Sequence, residues 1–111
     1  MNFEDVELLD VAGPVEVFSK VPNLEIEMLS PKGLPVTSSQ GVSLGADAGY
    51  SSISGDTLLI PGGEGTRQLV YNDAFLAALK HMAENVETVI SVCTGSALLA
   101  AAGLLEGYAA T

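Results

Sequence analysis

Short apolar runs alternate with helix-forming segments in the second half of the sequence, and this order restricts the fold more than any other feature. The apolar run Thr57–Ile60 is followed by a glycine-rich loop, and a second run covers residues 86–92 after a helical segment. Uninterrupted apolar runs of this length are typical of strands buried on both faces of a parallel sheet. The order strand, helix, strand, helix therefore predicts an α/β fold with a doubly wound parallel sheet.

Helical spacing of apolar side chains predicts two helices in this half, over residues 72–84 and 94–102. Asn72 and Asp73 are suited to cap the first of these helices. The second is apolar on all sides, so we expect it to be buried and to end at Gly103.

The first half of the chain gives weaker signals. Gly13–Pro14 predicts a short helix over residues 13–20, because proline is favoured at the first helical position. Apolar and acidic residues alternate over 24–30, which predicts a half-exposed strand. Two minor strands are expected within residues 34–56.

Composition excludes several classes of protein. The 111 residues include 14 acidic and 4 basic side chains, for a net charge of −10, which repels nucleic acid and anionic membrane surfaces alike. The 48% hydrophobic share is typical of a globular protein, and we expect one domain over residues 1–111. The acidic N-terminus does not resemble a signal peptide and the single cysteine permits no internal disulfide, so we expect a cytoplasmic location.

Cys93, the only cysteine, stands between the predicted strand that ends at Val92 and the helix that follows. A side chain at such a junction stands clear of the sheet, and the helix N-terminus and nearby backbone N–H groups favour a thiolate. We therefore expect a nucleophile whose pKa lies below its ordinary value, an effect that a nearby charged carboxyl would oppose. The alternative is that Cys93 is a small buried side chain of the core.

The glycine loop over residues 61–65 is not a dinucleotide site, because Gln68 occupies the position of the third glycine. We expect it instead to bring backbone N–H groups close to Cys93, as in an oxyanion hole. One cysteine without a histidine cluster cannot build a zinc site, so neither a metal nor an organic cofactor is expected.

A partner for Cys93 within this chain should be an acid. The only histidine, His81, is expected to point to solvent, because it lies far from the apolar face of its predicted helix. Asp10 and Glu16 are the best-placed acids, since they flank Gly13–Pro14 in an apolar stretch. Such a carboxyl is either a solvated helix cap or is turned inward.

Three segments follow one another along the chain: Leu9–Phe18, Leu59–Gly65, and Ser91–Ser96 with the later Ala102–Leu105. Together they resemble the DJ-1/PfpI superfamily, within the class I glutamine amidotransferase-like group. The branch that they resemble holds isonitrile hydratases and the ligand-sensing domains of AraC-type regulators.

The resemblance implies a flavodoxin-like α/β/α sandwich with Cys93 on a nucleophile elbow, in a chain that forms homodimers. Asp10 matches the carboxylic acid that is hydrogen-bonded to the sulfur. Gly63 and Thr94 match the residues whose N–H groups form the oxyanion hole. The same resemblance implies that Gly62, Glu16 and Gly95 contact the substrate.

Three functions follow as hypotheses. The first is a cysteine-dependent hydratase or hydrolase of a small molecule, which by resemblance would convert an isonitrile to an N-substituted formamide. The second is a non-catalytic domain that senses a small molecule for a transcriptional regulator. The third is a redox sensor, in which Cys93 is oxidised beside a carboxyl group.

The sequence also departs from the family pattern at both ends. Met1–Asn2 stands where members usually have an apolar strand, and members commonly continue beyond the position of Thr111. We therefore expect part of a longer domain, incomplete at both ends, that is marginally stable and prone to associate when isolated.

Overall fold

The computed structural model describes residues 1–104 together with the backbone of Ala109–Ala110. The first half contains α1 (Leu8–Phe18), β1 (Leu29–Ser30), β2 (Val36–Thr37), β3 (Ser43–Leu44), β4 (Ala48–Gly49) and a 3₁₀ turn (Tyr50–Ser52). The second half contains β5 (Thr57–Ile60), α2 (Thr66–Leu69), α3 (Asp73–Glu84), β6 (Thr88–Ser91), α4 (Gly95–Ala101) and β7 (Ala109–Ala110).

Parallel strands form the frame of the molecule. β5 pairs with β6 from Thr57 opposite Thr88 to Ile60 opposite Ser91, and β6 pairs in parallel with β7. β1 and β4 form a second parallel pair, whereas β2 and β3 form a small antiparallel hairpin. Parallel strands joined by helices confirm the predicted α/β class, and β5 has the bounds that the sequence predicted.

The core lies between the parallel sheet and the helices. Phe75 of α3 meets the rings of Phe3 and Tyr50 edge to face, each at 6.0 Å between centroids. Full burial of a large apolar side chain contributes about 1.5–3 kcal/mol, so this core supplies most of the stabilisation. Its largest fully buried apolar members include Ile60, Leu79, Met82, Val89, Leu98 and Leu99.

Helix α3 follows its sequence signals closely. Asn72 caps it, because its side-chain oxygen accepts a hydrogen bond of 3.0 Å from the N–H of Phe75. His81 is exposed, as its position on the helix predicted. Gly103 adopts a φ of 75° just beyond α4, which confirms the predicted end of that helix.

Helix α1 differs from the prediction, because it begins at Leu8 rather than at residue 13 and contains Pro14 in its interior. The first backbone N–H group of the helix finds its acceptor in a residue distant in sequence. The N–H of Leu8 donates to Oε1 of Gln40 over 3.0 Å. A proline indicates a helix start from neighbouring residues only, whereas the acceptor for Leu8 belongs to a loop 32 residues away. The start at Leu8 therefore could not be predicted from the proline.

The strands of the structure also differ from the predicted ones in length and number. The strand predicted over 24–30 is reduced to Leu29–Ser30, because residues 24–27 have exposed side chains and no ladder partner. The strand predicted over 86–92 spans only Thr88–Ser91. Residues 34–56 contain three short strands rather than two.

Helix α4 was expected to be buried on every side, and it is not. Leu98 and Leu99 are buried, whereas Ala97 and Ala100 are exposed, so small apolar residues occupy its outer face. Among the residues that the structure describes, no helix is long and apolar enough to cross a membrane.

Candidate active site

Cys93 occupies the turn between β6 and α4 in a strained backbone conformation. Its φ is 50°, in the left-handed region that side-chain-bearing residues rarely adopt, and its side chain is exposed. The buried alternative for Cys93 is therefore wrong. Strain of this kind persists where the surrounding structure enforces it, and it commonly marks functional positions.

Asp10 lies beneath the thiol with a buried carboxyl group. Its Oδ2 accepts a hydrogen bond of 3.1 Å from the N–H of Gly62, and its Oδ1 accepts one of 3.5 Å from Sγ of Cys93. Asp10 is the third residue of α1 and does not cap it, so the inward alternative is the correct one. The carboxyl thus joins the glycine loop to the thiol.

Close packing of the glycine loop on Thr94 makes this arrangement possible. A Cβ atom at Gly62 would stand 2.5 Å from Oγ1 of Thr94 and 2.8 Å from its backbone nitrogen. Gly63 adopts a φ of 133°, which only glycine adopts readily. The sequence Pro61–Gly62–Gly63 therefore fixes how near the loop comes to Cys93.

We expect Gly62→Ala to destabilise the fold by about 1–3 kcal/mol, because the new methyl group would overlap backbone and side-chain atoms of Thr94. Gly13→Ala is the matched control: nothing lies within 4 Å of its Cβ position, and alanine should stabilise helix α1 by about 0.5–1 kcal/mol. Urea unfolding of both variants measures the difference. Equal effects of the two substitutions would contradict the packing described here.

Thr94 interacts with the glycine loop through its side chain. Its Oγ1 accepts a hydrogen bond of 3.0 Å from the N–H of Gly63 and one of 3.3 Å from Oγ1 of Thr66. The buried Thr66 hydroxyl also lies 2.8 Å from the carbonyl oxygen of Gly63. Of the two N–H groups assigned to an oxyanion hole, that of Gly63 is thus occupied by the Thr94 hydroxyl in this structure.

The electrostatic environment raises the pKa of the Cys93 thiol, so the predicted decrease is wrong. The main cause is the negative charge of Asp10, and the hydrogen bond from the thiol to that carboxyl acts in the same direction. Partial desolvation and the charge of Glu7 add to the increase. Cys93 therefore holds its proton at neutral pH.

A shallow depression of about 420 Å³ opens above the thiol. Besides the residues already described, it is lined by Glu7, Glu64 and Arg67. Glu7 is held there by Gln40, whose Nε2 donates to Glu7 Oε2 over 3.0 Å, while Arg67 and Glu64 form an exposed ion pair at 3.7 Å. The depression is thus rimmed by three carboxyl groups, including Asp10, and one guanidinium.

Sequence reasoning missed Glu7, Thr66 and Arg67. Thr66 and Arg67 follow the glycine loop directly, and that proximity was a usable signal. No signal in the sequence indicated Glu7, because the position of Glu7 depends on two residues distant in sequence. Gln40 binds its carboxylate, and the N–H of Glu7 donates to the carbonyl of Gly62 over 2.8 Å.

Three predicted substrate contacts do not line the depression. Glu16 lies on the exposed side of α1 and pairs with Lys20 at 2.7 Å, because its position places it away from the buried stripe of the helix. Gly62 and Gly95 are buried and do not line the depression. A Cβ at Gly95 would stand 2.8 Å from the carbonyl oxygen of Pro61, so this glycine serves the packing of α4 on β5.

In the described part of the chain, no group of three His, Cys, Asp or Glu side chains has an arrangement that could hold a metal ion. The exposed His81 lies on α3 and is not among the residues that line the depression. The depression is lined by Cys93 and by the carboxyl groups of Glu7, Asp10 and Glu64.

Comparison with known proteins identifies the family of the chain. Residues 1–111 match the DJ-1/PfpI family. A crystal structure of a ThiJ/PfpI family protein from Pseudomonas syringae superposes with a TM-score of 0.84 at 30% identity, over 95% of this chain and 45% of the other. The chain belongs to the DJ-1/PfpI family, and its flavodoxin-like fold is that of the family.

Three proteins of the same comparison are similar to this chain over almost its whole length. The isonitrile hydratase of Pseudomonas putida is 36% identical over 98% of this chain and 48% of its own length. The protein named "Uncharacterized protein in cpoL 5'region" of Streptomyces lividans is 40% identical over 98% of this chain and 81% of its own. The HTH-type transcriptional regulator GbdR of Pseudomonas aeruginosa is 31% identical over 96% of this chain and 30% of its own. The chain thus spans about half of the hydratase.

Proposed function

We propose that this protein is a cysteine-dependent hydratase that converts small, neutral isonitriles to N-substituted formamides. The observation that carries the proposal is the 3.5 Å contact between the exposed, strained Cys93 thiol and the buried Asp10 carboxylate. The 36% identity to an isonitrile hydratase over nearly the whole chain supports the choice of substrate.

The first step adds the S–H bond across the terminal carbon of the isonitrile. Cys93 Sγ forms a bond to that carbon while its proton passes to Asp10 Oδ1, which then delivers it to the same carbon. The product is a thioimidate, in which sulfur and hydrogen are both bound to the former isonitrile carbon. A thiol that keeps its proton until attack suits this step, because no net charge is created.

The second step hydrolyses the thioimidate. Asp10 accepts a proton from water as the water oxygen attacks the carbon, and it then passes this proton to the imine nitrogen. Cleavage of the C–S bond releases the formamide, and the proton of the newly formed hydroxyl group returns to sulfur. One water molecule is consumed, and the enzyme is restored without a cofactor.

Backbone donors beside the thiol would stabilise negative charge that develops during attack. The N–H of Gly63 donates to the Thr94 hydroxyl, so the proposal requires the Thr94 side chain to rotate about χ1 and release this hydrogen bond. Together with the N–H of Thr94, it forms a pair of donors at the mouth of the depression. Three carboxyl groups against one guanidinium at the rim disfavour anionic substrates, which is consistent with a neutral one.

Formamide production tests the proposal directly. The protein is incubated with n-butyl isonitrile in water labelled with ¹⁸O, and the product is analysed by proton NMR and mass spectrometry. We expect N-butylformamide carrying one ¹⁸O atom and no product from the Cys93→Ser variant. Absence of product from folded protein whose Cys93 still alkylates would overturn the hydratase proposal.

A second candidate is a ligand-sensing domain that binds without turnover. Two observations favour it: the similarity to GbdR, and the Gly63 N–H that is occupied by the Thr94 hydroxyl. Saturable isonitrile binding without formamide release would select this candidate. The third hypothesis, a redox sensor, is disfavoured by the raised pKa of Cys93, because oxidation proceeds through the thiolate.

The remaining expectations also stand as proposals. A homodimer is implied by the family resemblance, and sedimentation velocity over a range of protein concentrations tests it. A reducing cytoplasm would keep Cys93 in the thiol state that the mechanism needs.

A further inference from the structure

Thr66 is a buried polar residue beside the depression that the proposed mechanism does not use. It is the first residue of α2 and is only 4% exposed. Its hydroxyl lies 2.8 Å from the carbonyl oxygen of Gly63 and 3.3 Å from Oγ1 of Thr94. The carbonyl of Gly63 already accepts a hydrogen bond of 3.1 Å from the N–H of Thr66, so it does not need the hydroxyl as a donor.

The side chain of Thr94 faces the glycine loop instead of its own helix. Thr94 occupies the N-cap position of α4, where a threonine side chain commonly accepts a hydrogen bond from the first turn of the helix. Here Thr94 makes no such bond, and its Oγ1 accepts from the N–H of Gly63 over 3.0 Å. The hydroxyl of Thr66 is the other group that is bonded to this Oγ1.

The three residues form one closed network of hydrogen bonds. The N–H of Gly63 is bonded to Thr94, the Thr94 hydroxyl is bonded to that of Thr66, and the Thr66 hydroxyl is bonded to the carbonyl of Gly63. Rotation of the Thr94 side chain about χ1 therefore breaks two hydrogen bonds. Without the Thr66 hydroxyl, the same rotation would break only one.

We propose that Thr66 is a positioning residue that holds the Thr94 hydroxyl on the N–H of Gly63. In this closed state the Gly63 donor is occupied, and a ligand reaches it only when the Thr94 side chain turns away. The inference rests on the proposed function for its effect on turnover, because the mechanism needs this donor. The closed state itself depends only on the hydrogen bonds among the three residues.

Proton exchange of the Gly63 amide with water, measured by NMR on ¹⁵N-labelled protein, tests the inference. Exchange requires the N–H to leave its acceptor, so we expect it to be about fivefold faster in Thr66→Val, which lacks one hydrogen bond of the closed state. Thr66→Ser keeps a hydroxyl and should exchange at nearly the wild-type rate. Thr88→Val is the matched control and should also match the wild type, since Thr88 is exposed on β6 and does not line the depression.

A Thr94→Val background separates positioning from a general loosening of the loop. This substitution removes the hydroxyl that accepts from the Gly63 N–H, so adding Thr66→Val should then leave the exchange rate of Gly63 unchanged. A substitution that only loosened the glycine loop would speed exchange in both backgrounds. Such a result would overturn the inference, as would equal Gly63 exchange in the folded wild type and Thr66→Val.

Turnover supplies the second measurement. Thr66→Val should raise kcat for formamide production by a factor similar to that for exchange, because a larger fraction of molecules then has the Gly63 donor free. The effect should appear in kcat rather than KM, since the donor stabilises charge that develops during attack. A lower kcat in Thr66→Val would overturn the inference. Exchange is measured without substrate, so the inference and the proposed hydratase activity can fail separately.

Discussion

Replacing Cys93 by serine should lower isonitrile turnover by about 10⁴-fold or more. The thiol forms the bond to carbon in the first step, and a serine hydroxyl is a far weaker nucleophile when its only neighbouring base is a carboxylate. Cys93 is exposed, and serine has nearly the same shape, so the fold should be unaffected. Initial rates of formamide production, measured by proton NMR, check this expectation.

Formamide release by the wild type separates the two candidate functions, because both of them include isonitrile binding. For a hydratase, Cys93→Ser should bind isonitrile in the depression and release no product. For a sensing domain, neither the wild type nor Cys93→Ser should release formamide. A variant that retains more than a tenth of the wild-type rate would contradict the role assigned to the thiol.

Replacing Asp10 by asparagine should have opposite effects on two measurements. Turnover should fall by about 10²-fold or more, because asparagine cannot carry a proton between sulfur, carbon and water. Reactivity of Cys93 towards iodoacetamide at pH 7 should instead rise several-fold, since loss of the Asp10 charge removes the main cause of the raised thiol pKa. A variant that merely unfolded or closed the site would not show both changes.

Glu16→Gln provides the matched control for Asp10→Asn. Both acids lie on α1, but Glu16 pairs with Lys20 on the exposed side of the helix. In Glu16→Gln, neither the rate of isonitrile turnover nor the rate of Cys93 alkylation should change. Unchanged turnover in a well-folded Asp10→Asn protein would assign Asp10 a purely structural role.

Much of the second half of the chain could be predicted because its signals are local. Buried parallel strands are continuous apolar runs, and the Asn72 cap adjoins the helix that it begins. The contact between Asp10 and Cys93 is of another kind. It joins residues 83 positions apart and was implied only by the family resemblance, while its catalytic role stays a prediction.

The start of α1 and the position of Glu7 could not be predicted, for one shared reason. Both depend on Gln40, whose side chain binds the N–H of Leu8 and the carboxylate of Glu7 from a loop more than 30 residues away. No spacing within residues 1–20 reveals such a partner. Local signals at Pro14 therefore misplaced the helix by five residues.

The pKa of Cys93 differs from the prediction because a tertiary effect outweighs a local one. Backbone donors at a strand-to-helix turn stabilise a thiolate, but a full negative charge in hydrogen-bond contact with sulfur opposes it more strongly. The distance between the Asp10 carboxylate and the Cys93 sulfur cannot be read from the order of the residues. With the carboxylate at 3.5 Å, the Asp10 charge determines the direction of the shift.

The pH dependence of Cys93 alkylation, measured in the wild type and in Asp10→Asn, tests the central claim most directly. If the Cys93 thiol is hydrogen-bonded to the charged Asp10 carboxylate, the wild-type rate should rise with a midpoint above the ordinary thiol pKa of about 8.5, and the midpoint in Asp10→Asn should be lower. Identical profiles, or a wild-type midpoint below that of the variant, would contradict the coupled pair on which the proposed mechanism depends.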